Sequence, residues 1–247
     1  MLTDHQIANQ YIRVQAPPLI GSPELWLQPE FWQGENAVVG QSTGRNTVWF
    51  VSDGEREYVL RHYYRGGLPG KLLTDQFVFT GLEKTRSMAE FNLLATLYDL
   101  GLPVPKPIAA GVQRSGFIYR ANLLIERVMN ANDVFQVLRT EPLTANAWQQ
   151  IGAMIANFHR AGLYHSDLNC HNILWQRCDG SEKPWLIDFD RCELRMQALG
   201  KTAWKEANLA RLKRSLEKEL GQQTDFYWQQ ADWQALMAGY NNTELNE

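Results

Sequence analysis

The stretch "LYHSDLNCHNILW", residues 163–175, sets an Asp, two Asn and two His between apolar residues. Its flanks read as buried backbone, where an unpaired polar group costs free energy. Asp167 and Asn172 are therefore hard to account for as packing and easy to account for as chemistry. Upstream, "LTANAWQQIGAMIANFHRAG" (143–162) reads as a helix. Thr144 can cap it, Trp148, Ile151, Ile155 and Phe158 form its apolar face, and Gly162 stops it. Downstream, "NILWQ", the turn "CDGSEK" and "PWLIDF" read as a hairpin, with Asp188 where its second strand ends.

The order is thus helix, loop with Asp167, Asn172 five residues on, hairpin, then Asp188. A loop Asp beyond a helix can accept a hydroxyl proton. An Asn amide oxygen and a carboxylate from the hairpin can jointly hold a hard cation such as Mg²⁺. Phosphoryl transfer needs that combination, because its main task is to position and neutralise a moving, charged group.

The bulk properties are compatible with this chemistry. A chain of 247 residues accommodates one large domain or two lobes. Its net charge of −3 excludes a global attraction to nucleic acid. Cys170, Cys178 and Cys192 form no C-x-x-C pair, so reduced thiols are expected rather than structural zinc, which reads as cytoplasmic. No apolar run reaches a spanning length, and "MLTDHQIANQ" lacks the order of a signal peptide. If a membrane matters, the protein is expected to lie against it.

In the first half, four prolines (Pro17, Pro18, Pro23, Pro29) preclude a long helix within residues 1–36. "AVVG" (37–40), "NTVWFVS" (46–52) and "YVLRHYY" (58–64) read as short strands of a small antiparallel sheet. The loop "GQSTGR" lies between the first two. "TRSMAEFNLLATLYDLG" (85–101) reads as a helix with an apolar stripe of Phe91, Leu93, Leu94, Leu97 and Leu100. Glu90 falls within that stripe, and a carboxylate on a buried face needs a partner. A further strand-like run, "FIYRANLLIERV" (117–128), precedes a mainly helical remainder. The expected division is a sheet-rich lobe over 1–126 and a mainly helical lobe over 127–247.

"HSDLNCHNIL" with "IDFD" resembles the catalytic loop and metal-binding turn of the protein-kinase-like fold, H-R-D-L-x-x-x-N followed by D-F-G. The resemblance implies an α+β bilobal fold: an antiparallel sheet plus one helix in the N-lobe, and a mainly helical C-lobe. It makes Asp167 the catalytic base, Asn172 and Asp188 metal ligands, and His165 the brace of the loop. Arg61 takes the strand position of the phosphate-binding Lys, with Glu90 as its helix partner. Gly40, Gly44 and Arg45 belong to a loop over the phosphates, and Glu126 and Val128 would offer backbone groups to adenine.

More narrowly, "VLRHYYRGGLPGK", "HSDLNCHNILW", "LIDFDRCE" and "NLARLKRSL" resemble the 3-deoxy-D-manno-octulosonic acid (Kdo) kinase family. That resemblance implies ATP and Mg²⁺ as cofactors and the 4-hydroxyl of Kdo in Kdo-lipid A as acceptor, during lipopolysaccharide inner-core synthesis. It also implies a peripheral protein at the cytoplasmic face of the inner membrane, with no nucleic acid and no obligate protein partner. Relative to the general kinase pattern, Arg replaces Lys at 61, Asp190 replaces the Gly of the metal turn, and Asn169 stands where Ser/Thr protein kinases carry a Lys. With no A-P-E motif downstream, a regulated protein kinase is disfavoured. The alternatives are a kinase of the same fold acting on a core heptose, an aminoglycoside or a protein, and a nucleotide-binding scaffold without turnover.

The basic residues Arg211, Arg214 and Lys218 read as one helical face, opposite Leu209, Leu212, Leu216 and Leu220, suited to docking an anionic glycolipid. His62, Arg65 and Lys71 are rival docking residues. His171 and Cys170 read as bystanders, Cys170 as a small buried filler.

Overall fold

Strands with one apolar face must pair and cover that face, and the first half of the chain does so around a single sheet. The computed structural model describes residues 2–15, 19–43, 47–65, 75–178, 180–196 and 200–245. Gly44, Arg45 and Lys71 lie outside the described residues. Two compact units result, Met1–Ala95 with Pro105–Arg127, and Thr96–Val104 with Val128–Glu247. The expected division at 126/127 did not foresee that residues 96–104 belong with the second unit.

In the first unit, β1 (Thr3–Ile7), β2 (Gln10–Val14), β3 (Val38–Thr43), β4 (Thr47–Ser52), β5 (Glu57–His62), β6 (Phe77–Val78), β7 (Pro107–Ser115) and β8 (Ile118–Glu126) form an antiparallel sheet. Its order is β1-β2-β7-β8-β5-β4-β3, with β6 beside β8. Period-two alternation along β5 sends Tyr58 and Leu60 to one face, Val59 and Arg61 to the other. Tyr58 and Leu60 are buried with Ile12, Val14, Trp26, Leu27, Trp32, Ile108 and Leu124. The segment before β3, with helix α1 (Pro29–Gly34), thus shares one core with that face of the sheet, and the Trp32 indole donates to the Trp26 carbonyl at 2.9 Å. Helix α2 (Arg86–Asp99) buries Met88, Phe91, Leu94 and Leu97, whereas Leu100 is exposed beyond its end rather than part of the stripe.

Gly40 corrects an expectation. It lies inside β3, opposite Phe50 of β4 and at a register shift, not in a loop. A Cβ there would stand 3.3 Å from the Phe50 ring, so close packing accounts for the glycine.

The second unit contains β9 (Ala131–Asp133), α3 (Val134–Leu138), α4 (Ala145–Arg160), β10 (Leu163–Tyr164), β11 (Ile173–Cys178), β12 (Ser181–Leu186), β13 (Glu193–Leu194), α5 (Ala203–Gln222) and α6 (Gln230–Leu245). Thr144 caps α4 by accepting from the Ala147 N–H at 3.1 Å. Trp148, Ile151, Ile155 and Phe158 are buried, and Gly162 follows the helix at φ +82°. Helices α4 and α6 meet backbone to backbone. A Cβ at Gly152 would fall 1.9 Å from the Leu236 carbonyl oxygen, and one at Gly239 would fall 2.0 Å from that of Gln149. Gly239→Ala is expected to cost about 3 kcal/mol, because neither neighbour is a movable side chain. Urea titration checks it, with Gly221→Ala as the control expected to be neutral or stabilised, since nothing lies within 4 Å of its Cβ position.

Candidate active site

Asp167 follows β10 on a loop that its own polar groups hold in shape. The Asn172 side-chain amide and that of Asn169 both donate to the Asp167 carbonyl, at 2.9 and 3.1 Å. Asn169 Oδ1 in turn accepts from the His171 and Asn172 N–H groups, at 2.8 and 3.2 Å. The Asn172 NH₂ is therefore spent on the loop, leaving its amide oxygen as the group able to meet a cation. In the β11–β12 hairpin Ile173 pairs with Leu186, and the Ile187 N–H donates to the Asn172 carbonyl at 3.0 Å. Asn172 and Asp188 thus leave the hairpin at the same end. Asp188 has φ +63°, a left-handed conformation that Asp tolerates better than most residues.

His165 ties the loop to this turn. Its Nδ1 accepts from the Asp167 N–H at 3.2 Å, and its Nε2 lies 3.1 Å from the Ile187 carbonyl. A carbonyl only accepts, so Nε2 carries the hydrogen and the ring is neutral. Burial favours the same state by pushing the imidazole pKa down, although the Ile187 carbonyl and the charges of Asp188 and Asp167 oppose it. Asn208 of α5 braces His165 in turn, accepting from its N–H at 3.1 Å and donating to its carbonyl at 2.8 Å.

His159, at the end of α4, is also buried neutral, beside the Tyr240 hydroxyl at 2.8 Å. Burial moves its pKa from 6.5 down to about 4. Above pH 6.5 the folded and unfolded forms both hold it neutral. Below that the unfolded chain takes the proton first, so stability falls as pH drops. Between pH 6.5 and 5 this one group is expected to remove about 2 kcal/mol. Urea midpoints across that window check it, with a flatter dependence expected for His159→Gln.

On the first unit, the buried carboxylate of Glu90, 3% exposed, has the partner its position demanded. The Arg61 guanidinium donates to Glu90 Oε2, and the Tyr63 hydroxyl donates to the same oxygen at 2.5 Å. Arg61 also lies over the Tyr63 ring, 5.0 Å from its centroid. Burial, and then the Glu90 charge, raise the Tyr63 pKa well above its usual value, so the phenol remains a donor. At the chain junction, the Glu126 N–H is used by the Lys106 carbonyl at 2.9 Å, while the Val128 N–H donates to no group among the described residues.

Residues 29–240 match the model of the "Lipopolysaccharide kinase (Kdo/WaaP) family". The chain belongs to this family. It is 48% identical over 220 residues to a 3-deoxy-D-manno-octulosonic acid kinase of Vibrio cholerae, covering 89% of this chain and 91% of that protein. A protein of the same name from Haemophilus influenzae is 44% identical over 238 residues, with 94% and 97% covered. Among solved structures, WaaP in complex with acyl carrier protein aligns with a TM-score of 0.56 at 16% identity, over 86% of this chain and 85% of that one. The Rio2 kinase of Chaetomium thermophilum, solved as an ADP/Mg²⁺-phosphoaspartate complex, aligns at 0.51 and 16%, over 85% and 72%. The fold is therefore protein-kinase-like, and this member of the lipopolysaccharide kinase family is a phosphotransferase with a hydroxyl acceptor.

Within that family frame, two residues outside the motifs contact the candidate residues. Tyr63 shares Glu90 with Arg61; its signal was the alternation of 59 and 61 along β5, continued at 63 just past the strand's end. Arg211 is exposed on α5 with Arg214 and Lys218, as the sequence suggested, and it also reaches the catalytic loop. Its Nε donates to Asp167 Oδ1 at 2.9 Å, and its Nη2 reaches the same oxygen. Leu220, assigned to the apolar stripe of α5, is exposed, unlike Leu209, Leu212 and Leu216. His62, a rival docking residue, is engaged by Asn122 and Asp75 and follows Arg61 onto the opposite sheet face. Cys170 is fully buried, its thiol pKa pushed up to about 11 by burial. His171 lies 3.5 Å from Glu219 and against the Phe135 ring.

Proposed function

We propose that the chain transfers a phosphoryl group from ATP to the 4-hydroxyl of Kdo in Kdo-lipid A, a step of lipopolysaccharide inner-core assembly. The observation that carries the reading is the polar loop 165–172, wired through His165 to the turn bearing Asp188 and set in a chain close to half identical to proteins named Kdo kinases.

Asp167 accepts the proton of the acceptor hydroxyl as that oxygen attacks. Partial burial raises its affinity for a proton, but hydrogen bonds from Arg211 and Asn169 outweigh that, and its pKa is lowered on balance. It is thus ionised at neutral pH and able to act. The Asn172 amide oxygen and the Asp188 carboxylate would hold Mg²⁺, which neutralises phosphate oxygens when bound. Two oxygen ligands suit a cation that otherwise keeps waters and substrate phosphates. Arg61, oriented by Glu90 and Tyr63, would grip the α- and β-phosphates through its planar fork. The Val128 N–H would meet the adenine edge. Arg214 and Lys218, both exposed on α5, remain as the basic docking residues.

Because the acceptor is lipid-linked, the protein is assigned to the cytoplasmic face of the inner membrane as a peripheral protein. No helix among the described residues is long and apolar enough to cross a membrane. Incubation of purified protein with labelled ATP and Kdo-lipid A, a heptosylated core or a generic protein tests the assignment. Label is expected on Kdo-lipid A; transfer to another acceptor with none to Kdo would reject it.

A further inference from the structure

Helix α5 runs along the catalytic loop, and four of its side chains at helical spacing meet the loop in sequence order. Asn208 holds the His165 backbone, Arg211 reaches the Asp167 carboxylate, the Ser215 hydroxyl accepts from the Cys170 N–H at 3.1 Å, and Glu219 faces His171. Asn208 and Ser215 hold backbone, and Glu219 meets a bystander. Only Arg211 touches the group assigned to proton transfer.

Within the loop, Asn169 is neutral and committed through both ends of its amide to backbone groups. The loop therefore brings no cation of its own to Asp167. Arg211 brings one from the helix, and in a particular manner: Nε and Nη2 both donate to Oδ1 rather than bridging the two carboxylate oxygens. An edge-on grip on one oxygen fixes rotation of the carboxylate and leaves the other oxygen presented. The two side chains are 48% and 49% exposed, and ion pairs so solvated contribute little to stability. The contact thus has little value to folding and is placed on the base.

We infer that Arg211 is a positioning residue for phosphoryl transfer, anchoring Oδ1 of Asp167 so that Oδ2 meets the acceptor hydroxyl. This rests on Asp167 being the base. Misplacing a catalytic group by about 1 Å can cost 100-fold in rate, and loss of a grip that leaves the loop intact should cost less.

The test is a double-mutant cycle of Arg211→Gln with Asp167→Asn, with Arg211→Lys alongside, read as kcat, KM for ATP, KM for acceptor and melting temperature. Arg211→Gln is expected to lower kcat roughly 10- to 30-fold with both KM values and the melting temperature nearly unchanged, and Arg211→Lys to recover part of the loss. In the Asp167→Asn background, Arg211→Gln should cost less than about 2-fold, since there is no base left to position. An equal loss in both backgrounds would show that Arg211 acts elsewhere and overturn the inference. So would a rise in acceptor KM with kcat intact, the mark of a docking role. A wild-type rate for Asp167→Asn alone would instead remove the base assignment, and the positioning role with it.

Discussion

Asp167→Asn is expected to lose at least about 100-fold in kcat while still binding nucleotide. The substitution is close to isosteric and keeps the loop's architecture, because the bonds that shape the loop run to the Asp167 backbone rather than its side chain. Both Asn172 and Asn169 donate to its carbonyl, and its N–H donates to His165. What disappears is the acceptor for the hydroxyl proton, together with the negative charge that Arg211 engages. Folding should be nearly unaffected, since the Arg211–Asp167 pair is half exposed. Nucleotide titration and single-turnover transfer separate the two properties. A variant that turns over at the wild-type rate would leave the proposed chemistry without a base, whereas one that fails to bind nucleotide would show the loop to be structural.

How much of this was legible in the sequence depends on the range of the interaction that carries each part. Asp167, Asn172 and Asp188 could be found because the loop and hairpin are local, and their spacing is the chemistry. Glu90 could be found because a carboxylate in an apolar stripe demands a partner, and Arg61 was the cation on the neighbouring strand. The strand β1 was not legible: all five of its residues are exposed, so no alternation marks it. β7 was missed for the opposite reason, its first six residues being uniformly buried with Ala and Gly among them. The contact of Arg211 with Asp167 was not legible because periodicity ranks positions by hydropathy and cannot show that a polar loop passes beside an exposed polar face. Asn208, likewise polar, is 2% exposed. Such a face becomes readable only once the long-range partner is known, here a segment about 40 residues earlier in the chain.

Glu90→Ala is expected to be the most destabilising single change in the first unit, by about 3–5 kcal/mol. It would strand a guanidinium that is only 24% exposed and a buried phenol hydroxyl, both of which now donate to Glu90. Glu90→Gln should cost less, since it keeps the shape and its amide oxygen can accept from both donors, although the negative charge opposite Arg61 is lost. Stability alone does not explain why the pair exists, because a buried ion pair seldom outperforms apolar side chains of similar volume once desolvation is counted. The triple replacement Arg61→Met/Tyr63→Phe/Glu90→Leu removes these two donors together with the acceptor they share. It should unfold at a denaturant concentration at least equal to that of the wild type while losing nucleotide binding. If the triple variant instead bound nucleotide normally, Arg61 would have no part in holding phosphate. If it unfolded as readily as Glu90→Ala, the trio would be a structural element of the sheet and its helix, and the catalytic reading of the first unit would fall with it.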